Sequence, residues 1–159
     1  MSDFKNNNKH FALDCLRLGQ PIAIPTETVY GLAASISNPL AIRRIFAIKG
    51  RPNNHPLIIH VDSIEMAERY AFFSNLARNI SIHFWPGPLT IILPKKDSVP
   101  FEVTGGLDTV GVRCPNHSIT RKLIQVHGHP IAAPSANRFG KISPTKASHV
   151  IDDYQGQVP

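Results

Sequence analysis

Residues 22–50 read IAIPTETVYGLAASISNPLAIRRIFAIKG: a short apolar run, a polar turn and a longer apolar segment in succession. The run at residues 22–24 lies between two prolines and is typical of a strand. Asn38 and Pro39 are residue types that begin helices, and Gly50 is of the type that follows a helix end, so the segment between them is predicted to be helical. A strand, a loop and a helix in this order favour an α/β fold.

The alternation of strands and helices continues along the rest of the chain. Further strands are predicted at residues 57–61, 89–93, 109–113 and 131–133, and further helices at residues 11–18, 62–70, 75–85 and 118–127, with a last helix opened by Ser143-Pro144. This alternation predicts an α/β layer fold around a largely buried sheet. We expect residues 1–159 to form a single domain in which residues 1–9 are a flexible polar leader.

Composition and charge limit the classes of function. Seventeen Lys and Arg residues against eleven Asp and Glu give a net charge of +6, which favours anionic partners such as nucleotides or RNA. Cys15 and Cys114 form no CxxC pair, which argues against a cysteine zinc site and a disulfide framework and favours a reducing compartment. No signal peptide or membrane-spanning run is present. The sequence therefore predicts a soluble, cytoplasmic protein without a membrane partner.

Two polar clusters lie near the quoted stretch. Residues 25–32 carry two threonines and a carboxylate in a turn that ends in glycine. They could hold the ammonium or hydroxyl group of a small ligand, or only bond their own backbone. Lys49 and Arg51 flank Gly50 at the predicted end of a helix. These cations either complement the helix dipole or form a pair directed at a polyphosphate.

Two histidines lie around the next predicted strand. His60 stands among apolar neighbours, where a histidine is more often a hydrogen-bonded core residue than a ligand. His55 and His60 lack the spacing of a metal pair, and no carboxylate cluster accompanies them. We therefore expect no protein-bound transition metal.

Two more clusters follow later strands. Arg113 ends a strand and could grip a carboxylate with two parallel hydrogen bonds, or could pair with the nearby Asp108 at the surface. The loop at residues 133–144 contains Ser135, Asn137 and Lys141 and is predicted to run into a helix N-terminus, which suits phosphate. The common nucleotide motifs GxxxxGK[ST] and GxGxxG are absent from the sequence.

Together these clusters resemble the motifs of the YrdC/TsaC-like threonylcarbamoyl-AMP synthase family. The matching motifs are Pro25 to Leu32, Lys49-x-Arg51, Trp85 to Thr90, Gly111-Val112-Arg113, Ser135-x-Asn137 and Ser143-Pro144-Thr145. The resemblance extends from about Gly19 to the last residues. It implies an α/β fold with a twisted mixed, largely parallel sheet and flanking helices around a basic concave cavity.

The resemblance also implies a reaction. ATP, L-threonine and bicarbonate would give threonylcarbamoyl-AMP and pyrophosphate, the activated intermediate for the threonylcarbamoyladenosine modification of tRNA. Mg²⁺ would accompany ATP, a threonylcarbamoyl transferase complex would act downstream, and tRNA or double-stranded RNA could bind directly.

The resemblance assigns residues to three sets. Thr28, His60, Arg113 and Ala133 would line the L-threonine site. Arg51, His55, Thr109, Ser135 and Ser143 would contact ATP. Lys49, Arg51, Ser135 and Asn137, the paired KxR and SxN signature, would be catalytic, and we expect them to converge on one site.

Two departures and two rival interpretations accompany this resemblance. Ala33 stands where the family often has glycine, and the family usually continues beyond the position of Pro159 into a serine-containing strand, so the domain is expected to lack that strand. A non-catalytic domain that binds double-stranded RNA or tRNA would suit the same basic cavity. A carbamoyl-transfer module of the hydrogenase-maturation type shares the KxR and SxN pairs.

Overall fold

The computed structural model describes residues 2–159 and the side chains from His10 onward. The helices are α1 (Ser2–Arg17), α2 (Pro39–Lys49), α3 (Ile64–Glu68), α4 (Asn75–Phe84), α5 (Phe101–Thr104), α6 (Ser118–His127) and α7 (Ala147–Tyr154). The strands are β1 (Ile22–Ile24), β2 (Gly31–Ser35), β3 (Ile58–His60), β4 (Ile91–Pro94), β5 (Thr109–Arg113) and β6 (Ile131–Ala132). The predicted leader at residues 1–9 includes Met1 and side chains that lie outside the described residues, and it stays a prediction.

The end signals read from the sequence define α2. The Asn38 side chain accepts a hydrogen bond from the N–H of Ala41, and Pro39 occupies the first turn. Gly50 ends the helix with φ of 63°, a left-handed conformation that glycine adopts without the steric cost of a Cβ atom. This turn places the last residue of the helix, Lys49, against a distant loop. None of the helices within residues 2–159 combines the length and hydropathy needed to cross a membrane.

The six strands form one sheet in the order β1-β2-β6-β3-β5-β4. The predicted mixed sheet with flanking helices is confirmed, but the expectation that it is largely parallel is wrong. Only β3 and β5 pair in parallel, and the other four pairings are antiparallel. The two strands joined through α2 run in the same direction, but β6 lies between them and pairs antiparallel with both. A helical connection therefore does not bring its two strands into contact here.

One part of the sheet leaves a face uncovered. Along β5, Val110 and Val112 are at most 1% exposed, whereas Gly111 and Arg113 lie on the opposite face and are partly exposed. His60 of β3 is the register partner of Arg113 and shares its face, since paired residues of neighbouring strands point to the same side. We call this surface the open face; it carries Ile58, His60, Ile92, Thr109, Gly111, Arg113 and Ala133.

The absence of a side chain at Gly111 leaves the middle of the open face shallow. A Cβ atom at this position would lie 3.3 Å from Cγ2 of Thr90 and 3.4 Å from Cγ1 of Ile58, closer than most side-chain contacts. Arg113 therefore projects beside a shallow stretch of sheet. Residues 25–30, the connection between β1 and β2, reach this guanidinium from the neighbouring part of the sheet.

Three elements of the structure differ from the sequence prediction. The run at residues 31–35 was not predicted as a strand, yet it forms β2, and all five of its residues are buried. The last helix begins at Ala147 after Lys146, not at Ser143-Pro144, so the predicted helix opening is wrong. The short helix α5 was also not predicted. The remaining predicted helices and strands are present, with ends shifted by at most two residues, except that α1 begins at Ser2, nine residues before its predicted start.

Candidate active site on the open face

Lys49 joins the end of α2 to the loop that follows β6. The residue is 3% exposed, and its ammonium group donates hydrogen bonds to the main-chain oxygens of Ser135, at 2.6 Å, and of Asn137. Burial, and then the nearby guanidinium of Arg51, lower the pKa of Lys49 to about 8, against the opposing effect of Asp153. The KxR and SxN pairs, far apart in sequence, thus meet through one buried side chain.

Asn137 shapes the loop from Ser135 to Lys141. Its side-chain oxygen accepts from the Ser135 hydroxyl at 2.5 Å, and its side-chain nitrogen donates to the main-chain oxygens of Arg138 and Lys141, both at 2.8 Å. Both N–H donors of the amide are therefore used inside the protein. With the residue only 6% exposed, the Asn137 side chain stabilises the conformation of this loop.

Arg51 is the cation of the KxR pair that remains available. Its Nη2 donates to the main-chain oxygen of Pro56 at 3.1 Å, while its Nε is buried without a hydrogen-bond partner among residues 2–159. Burial lowers the pKa of Arg51, yet an arginine remains charged at neutral pH. Arg51 makes no ion pair with a carboxylate in the part of the chain that the structure describes. A buried donor and an uncompensated charge suit an anionic ligand.

An aromatic contact lies next to this cation. The rings of His55 and Phe139 meet edge to face, with centroids 5.6 Å apart. The N–H of Phe139 donates to the main-chain oxygen of Lys49 at 2.8 Å, so the Lys49 contact also positions this ring. Phe139 was not singled out from the sequence, because an aromatic residue in a polar loop gives no periodic signal.

A second polar cluster surrounds the end of β5. The Nη2 atom of Arg113 lies 2.9 Å from Oε2 of Glu27 and donates to the Thr28 hydroxyl at 3.1 Å. The Nε atom donates to the main-chain oxygen of Gly87 at 3.3 Å. The ion-pair alternative from the sequence, with Asp108 as partner, is wrong: Arg113 lies at the other end of β5 and its partner is Glu27. The sequence placed this carboxylate in a turn that could hold the ammonium or hydroxyl group of a small ligand, but it did not predict the pairing with Arg113.

The side chains of Glu27 and Arg113 are partly shielded from water, although Glu27 as a whole residue is exposed. Their side chains are 20% and 11% exposed. Burial alone would raise the pKa of Glu27, but the N–H of Asn116 and the guanidinium of Arg113 outweigh it and hold the pKa below its usual value. Glu27 is therefore ionised at neutral pH.

His60 lies on the same face, next to Arg113. Burial, and then the charge of Arg113, lower the pKa of His60 to about 4, so its imidazole is neutral at neutral pH. Its Nδ1 is buried and has no partner among the described residues. An imidazole nitrogen without a partner can bond to a ligand. Ala133 directly follows β6, the strand that pairs with β3. Its N–H donates to the main-chain oxygen of Ile58 at 3.1 Å, so this donor is used within the sheet.

Thr109 and Ser143 are not joined to these clusters by a side-chain contact among the described residues. Thr109 begins β5, at the opposite end from Arg113, and is exposed. Ser143 is also exposed, and the following Pro144 accepts a hydrogen bond from the N–H of Tyr30 at 2.8 Å. This bond holds the Ser143 loop beside the turn at residues 25–30. The predicted phosphate site required a helix that begins at Ser143-Pro144. This is wrong, because α7 begins at Ala147, beyond this loop.

The two cavities identified in the fold lie elsewhere. One, of about 620 Å³, is lined by parts of α1, β2, α2 and residues 127–129, and the other, of about 530 Å³, is a largely apolar groove between α1, β1 and α6. Neither is lined by a predicted site residue. We centre the candidate site on the open face, where Arg113 lies with the Nδ1 of His60, which has no hydrogen-bond partner in the described part of the chain, and include Arg51, which follows the end of α2. Among the side chains that the structure describes, from His10 onward, there is no group of three or more His, Cys, Asp and Glu residues that could hold a metal ion.

Known proteins share both the sequence and the fold. The sequence model of the Sua5/YciO/YrdC family, described as telomere recombination, matches residues 14–159. Two curated threonylcarbamoyl-AMP synthases are similar: that of Pyrococcus abyssi is 52% identical over 144 residues, and that of Bacillus subtilis is 47% identical over 145 residues. Each alignment covers 90% of this chain and 42% of the relative.

A solved structure is similar over the same range. The crystal structure of P. abyssi Sua5 complexed with L-threonine has a TM-score of 0.92 at 50% identity. It covers 95% of this chain and 45% of that one. The chain thus spans about two fifths of the length of the two curated relatives described above.

Proposed function

Because the chain belongs to the Sua5/YciO/YrdC family, we propose that it carries the catalytic site of an L-threonylcarbamoyladenylate synthase. In this reaction L-threonine, bicarbonate and ATP give threonylcarbamoyl-AMP, pyrophosphate and water. The enzyme would be a nucleotidyltransferase, since an adenylyl group passes from ATP to a carbamate. Two relatives that bear the name of this activity, and a similar protein solved with L-threonine, support the proposal.

The observation that carries the proposal is a pair of unlike clusters, one around Arg113 on the open face and one around Lys49 and Arg51 at the end of α2. Arg113, Thr28 and the neutral His60 offer a cation, a hydroxyl and a free imidazole nitrogen, which suit the polar groups of threonine. Arg51 offers a charge without a counter-ion among the described residues, which suits a phosphate. The loop at residues 135–143 connects the two clusters. Lys49 contacts its start at Ser135, and the bond from Tyr30 to Pro144 holds its end beside the turn that carries Thr28.

The chemistry requires alignment and charge stabilisation more than a dedicated base. Threonine and bicarbonate form a carbamate, whose oxygen attacks the α-phosphorus of ATP as pyrophosphate leaves. Two anions must approach one another, so a fixed cation such as Arg51 lowers the barrier by stabilising the charge on the phosphate oxygens. The exposed Ser143 hydroxyl can donate to the same polyphosphate, and the Ser135 hydroxyl can do so by giving up its bond to the side-chain oxygen of Asn137. Lys49 and Asn137 act indirectly, because their polar groups hold the loop in position.

Mg²⁺ enters the proposal as part of the substrate. It would arrive bound to the phosphate oxygens of ATP, and the described residues show no carboxylate cluster that would hold it on the protein side. His55 and Phe139 would flank the nucleotide near Arg51, and Thr109 would meet it from the start of β5. We place the reaction in the cytoplasm, upstream of a threonylcarbamoyl transferase complex that modifies tRNA, and the net charge of +6 suits contact with that RNA.

The test is product formation from three substrates. The protein is incubated with ATP, Mg²⁺, L-threonine and labelled bicarbonate, and threonylcarbamoyl-AMP and pyrophosphate are measured while each substrate is left out in turn. We expect product only when all are present, and a large loss in Arg51→Ala. The matched control is Arg43→Ala, which removes an exposed arginine paired with Glu102 on α5. A folded protein that binds RNA but neither L-threonine nor ATP would refute the proposal in favour of an RNA-binding domain.

A further inference from the structure

The ion pair between Glu27 and Arg113 raises a question about how this site admits an amino acid. An arginine has five N–H donors. The Nε atom of Arg113 donates to Gly87, and Nη2 serves both Thr28 and Glu27. Nη1 has no hydrogen-bond partner among residues 2–159, so a substrate carboxylate has this end of the guanidinium open to it. A carboxylate ligand therefore binds beside an existing carboxylate, that of Glu27.

Charge balance decides which ligands this arrangement tolerates. Glu27 and Arg113 carry opposite charges, and the adjacent His60 is neutral, so the cluster has no net charge. A ligand that brings only a negative charge would place a second anion beside Glu27 without a second cation, and the two carboxylates would repel each other. A zwitterion adds one charge of each sign and keeps the balance.

We propose that Glu27 is a substrate-binding residue that accepts the ammonium group of the amino acid while Arg113 binds its carboxylate, so that the pair recognises a zwitterion. This inference rests on the proposed function and extends it to a residue outside the sets assigned from the sequence. An ionised carboxylate has about four acceptor positions. The ion pair with Arg113 uses Oε2 of Glu27, at 2.9 Å, which leaves capacity for an ammonium group.

Binding of two ligands by matched variants tests this role. The ligands are L-threonine and (2S,3R)-2,3-dihydroxybutanoate, in which a hydroxyl group replaces the ammonium group. The variants are Glu27→Gln, Glu27→Asp and, as control, Glu102→Gln, which breaks an ion pair of 2.8 Å with Arg43 away from the site. Dissociation constants are measured by calorimetry or NMR titration, and folding is checked by thermal melting.

The expected results for Glu27→Gln point in opposite directions for the two ligands. L-threonine binds about ten- to a hundredfold more weakly, the range for one lost charged hydrogen bond. The hydroxy acid binds more tightly, because the competing carboxylate has gone. Glu102→Gln changes neither. Glu27→Asp keeps the charge and keeps the preference for threonine, which supplies the test if the glutamine variant does not fold.

Each other pattern overturns the assignment. If both ligands weaken together, Glu27 only holds Arg113 in place. If L-threonine tightens, Glu27 only competes with the substrate carboxylate, and if the hydroxy acid binds no better to Glu27→Gln the charge argument fails. Loss of the preference in Glu27→Asp also refutes it. A wild-type protein that does not bind L-threonine at all refutes the proposed function as well, which separates the two failures.

Discussion

Replacing Lys49 by methionine tests whether a cation is buried at the junction of the two signature pairs. The substitution keeps the length and apolar stem of the side chain but removes the donor to Ser135 and Asn137. Two buried oxygens then lose a partner, at about 1–3 kcal/mol each. Against this, the ammonium no longer has to be buried. Its pKa falls from 10.5 to about 8, and at about 1.4 kcal/mol per unit this penalty is about 3 kcal/mol at neutral pH.

The two effects are separated by pH. A lysine with a pKa that is lower in the folded state binds fewer protons there than in the unfolded chain, so its contribution to stability increases as pH rises from about 8 toward 10.5. Between pH 7 and pH 9 the wild-type protein should therefore gain about 1 kcal/mol relative to Lys49→Met. At pH 7 a loss of about 2–6 kcal/mol is offset by a gain of about 3 kcal/mol, and at pH 9 the variant is about 1 kcal/mol less stable, relative to the wild type, than at pH 7.

The assay is urea unfolding of both proteins at pH 7, 8 and 9. Other groups that titrate in this range are shared by the two proteins and cancel in the difference. Lys96→Met is the matched control, because the Lys96 ammonium also donates to a main-chain oxygen, that of Glu68 at 2.6 Å, at a site away from the loop. Parallel stability curves for wild type and Lys49→Met across this range would refute the reasoning.

Three further outcomes are expected. Arg51→Ala should weaken ATP binding by about tenfold or more while the melting temperature changes little, since Arg51 has a single hydrogen bond to the protein; an unchanged Kd for ATP would remove it from the site. Asn137→Ala should lower the free energy of unfolding by about 1–3 kcal/mol, measured in urea, because the carbonyls of Arg138 and Lys141 lose their donor. L-valine, similar in shape to threonine, should bind at least tenfold more weakly in calorimetry, because it leaves the polar groups near Thr28 and His60 unpaired; equal affinities would contradict the assignment.

The sequence predicted elements whose signals are local. The caps of α2 and the apolar runs of β3 and β5 are present where the residues indicated. The strand β2 was not predicted because its sequence, Gly31-Leu32-Ala33-Ala34-Ser35, lacks β-branched residues. Its strand conformation is set by its two neighbours in the sheet. Ser143-Pro144 carried a helix signal, but a hydrogen bond to Tyr30 holds this segment in a loop.

The sequence indicated which residues belong to the candidate site better than it indicated which contacts they make. The meeting of Lys49 with Ser135 and Asn137 followed from the paired motifs, whereas the buried state of Lys49 did not, because a lysine at a helix end is ordinarily solvated. The pairing of Arg113 with Glu27 depends on the path of a loop between two strands, which no periodicity encodes. Sequence patterns report which side chains are polar, but only packing decides which of them are already satisfied.

The central position of β6 has a consequence for how the protein forms during synthesis. Of the six strands described here, this one is made last, yet it lies between β2 and β3, and Ile131 and Ala132 are fully buried. Until it emerges from the ribosome, the hairpin of β1 and β2 and the group of β3, β5 and β4 have no strand to join them, and each presents an unpaired edge. The bond from Lys49 to Ser135 spans 86 residues and must form after that. The candidate active site therefore assembles only when nearly all of the sheet has been translated, and folding dominated by such distant pairings is slow and exposed to aggregation in the meantime.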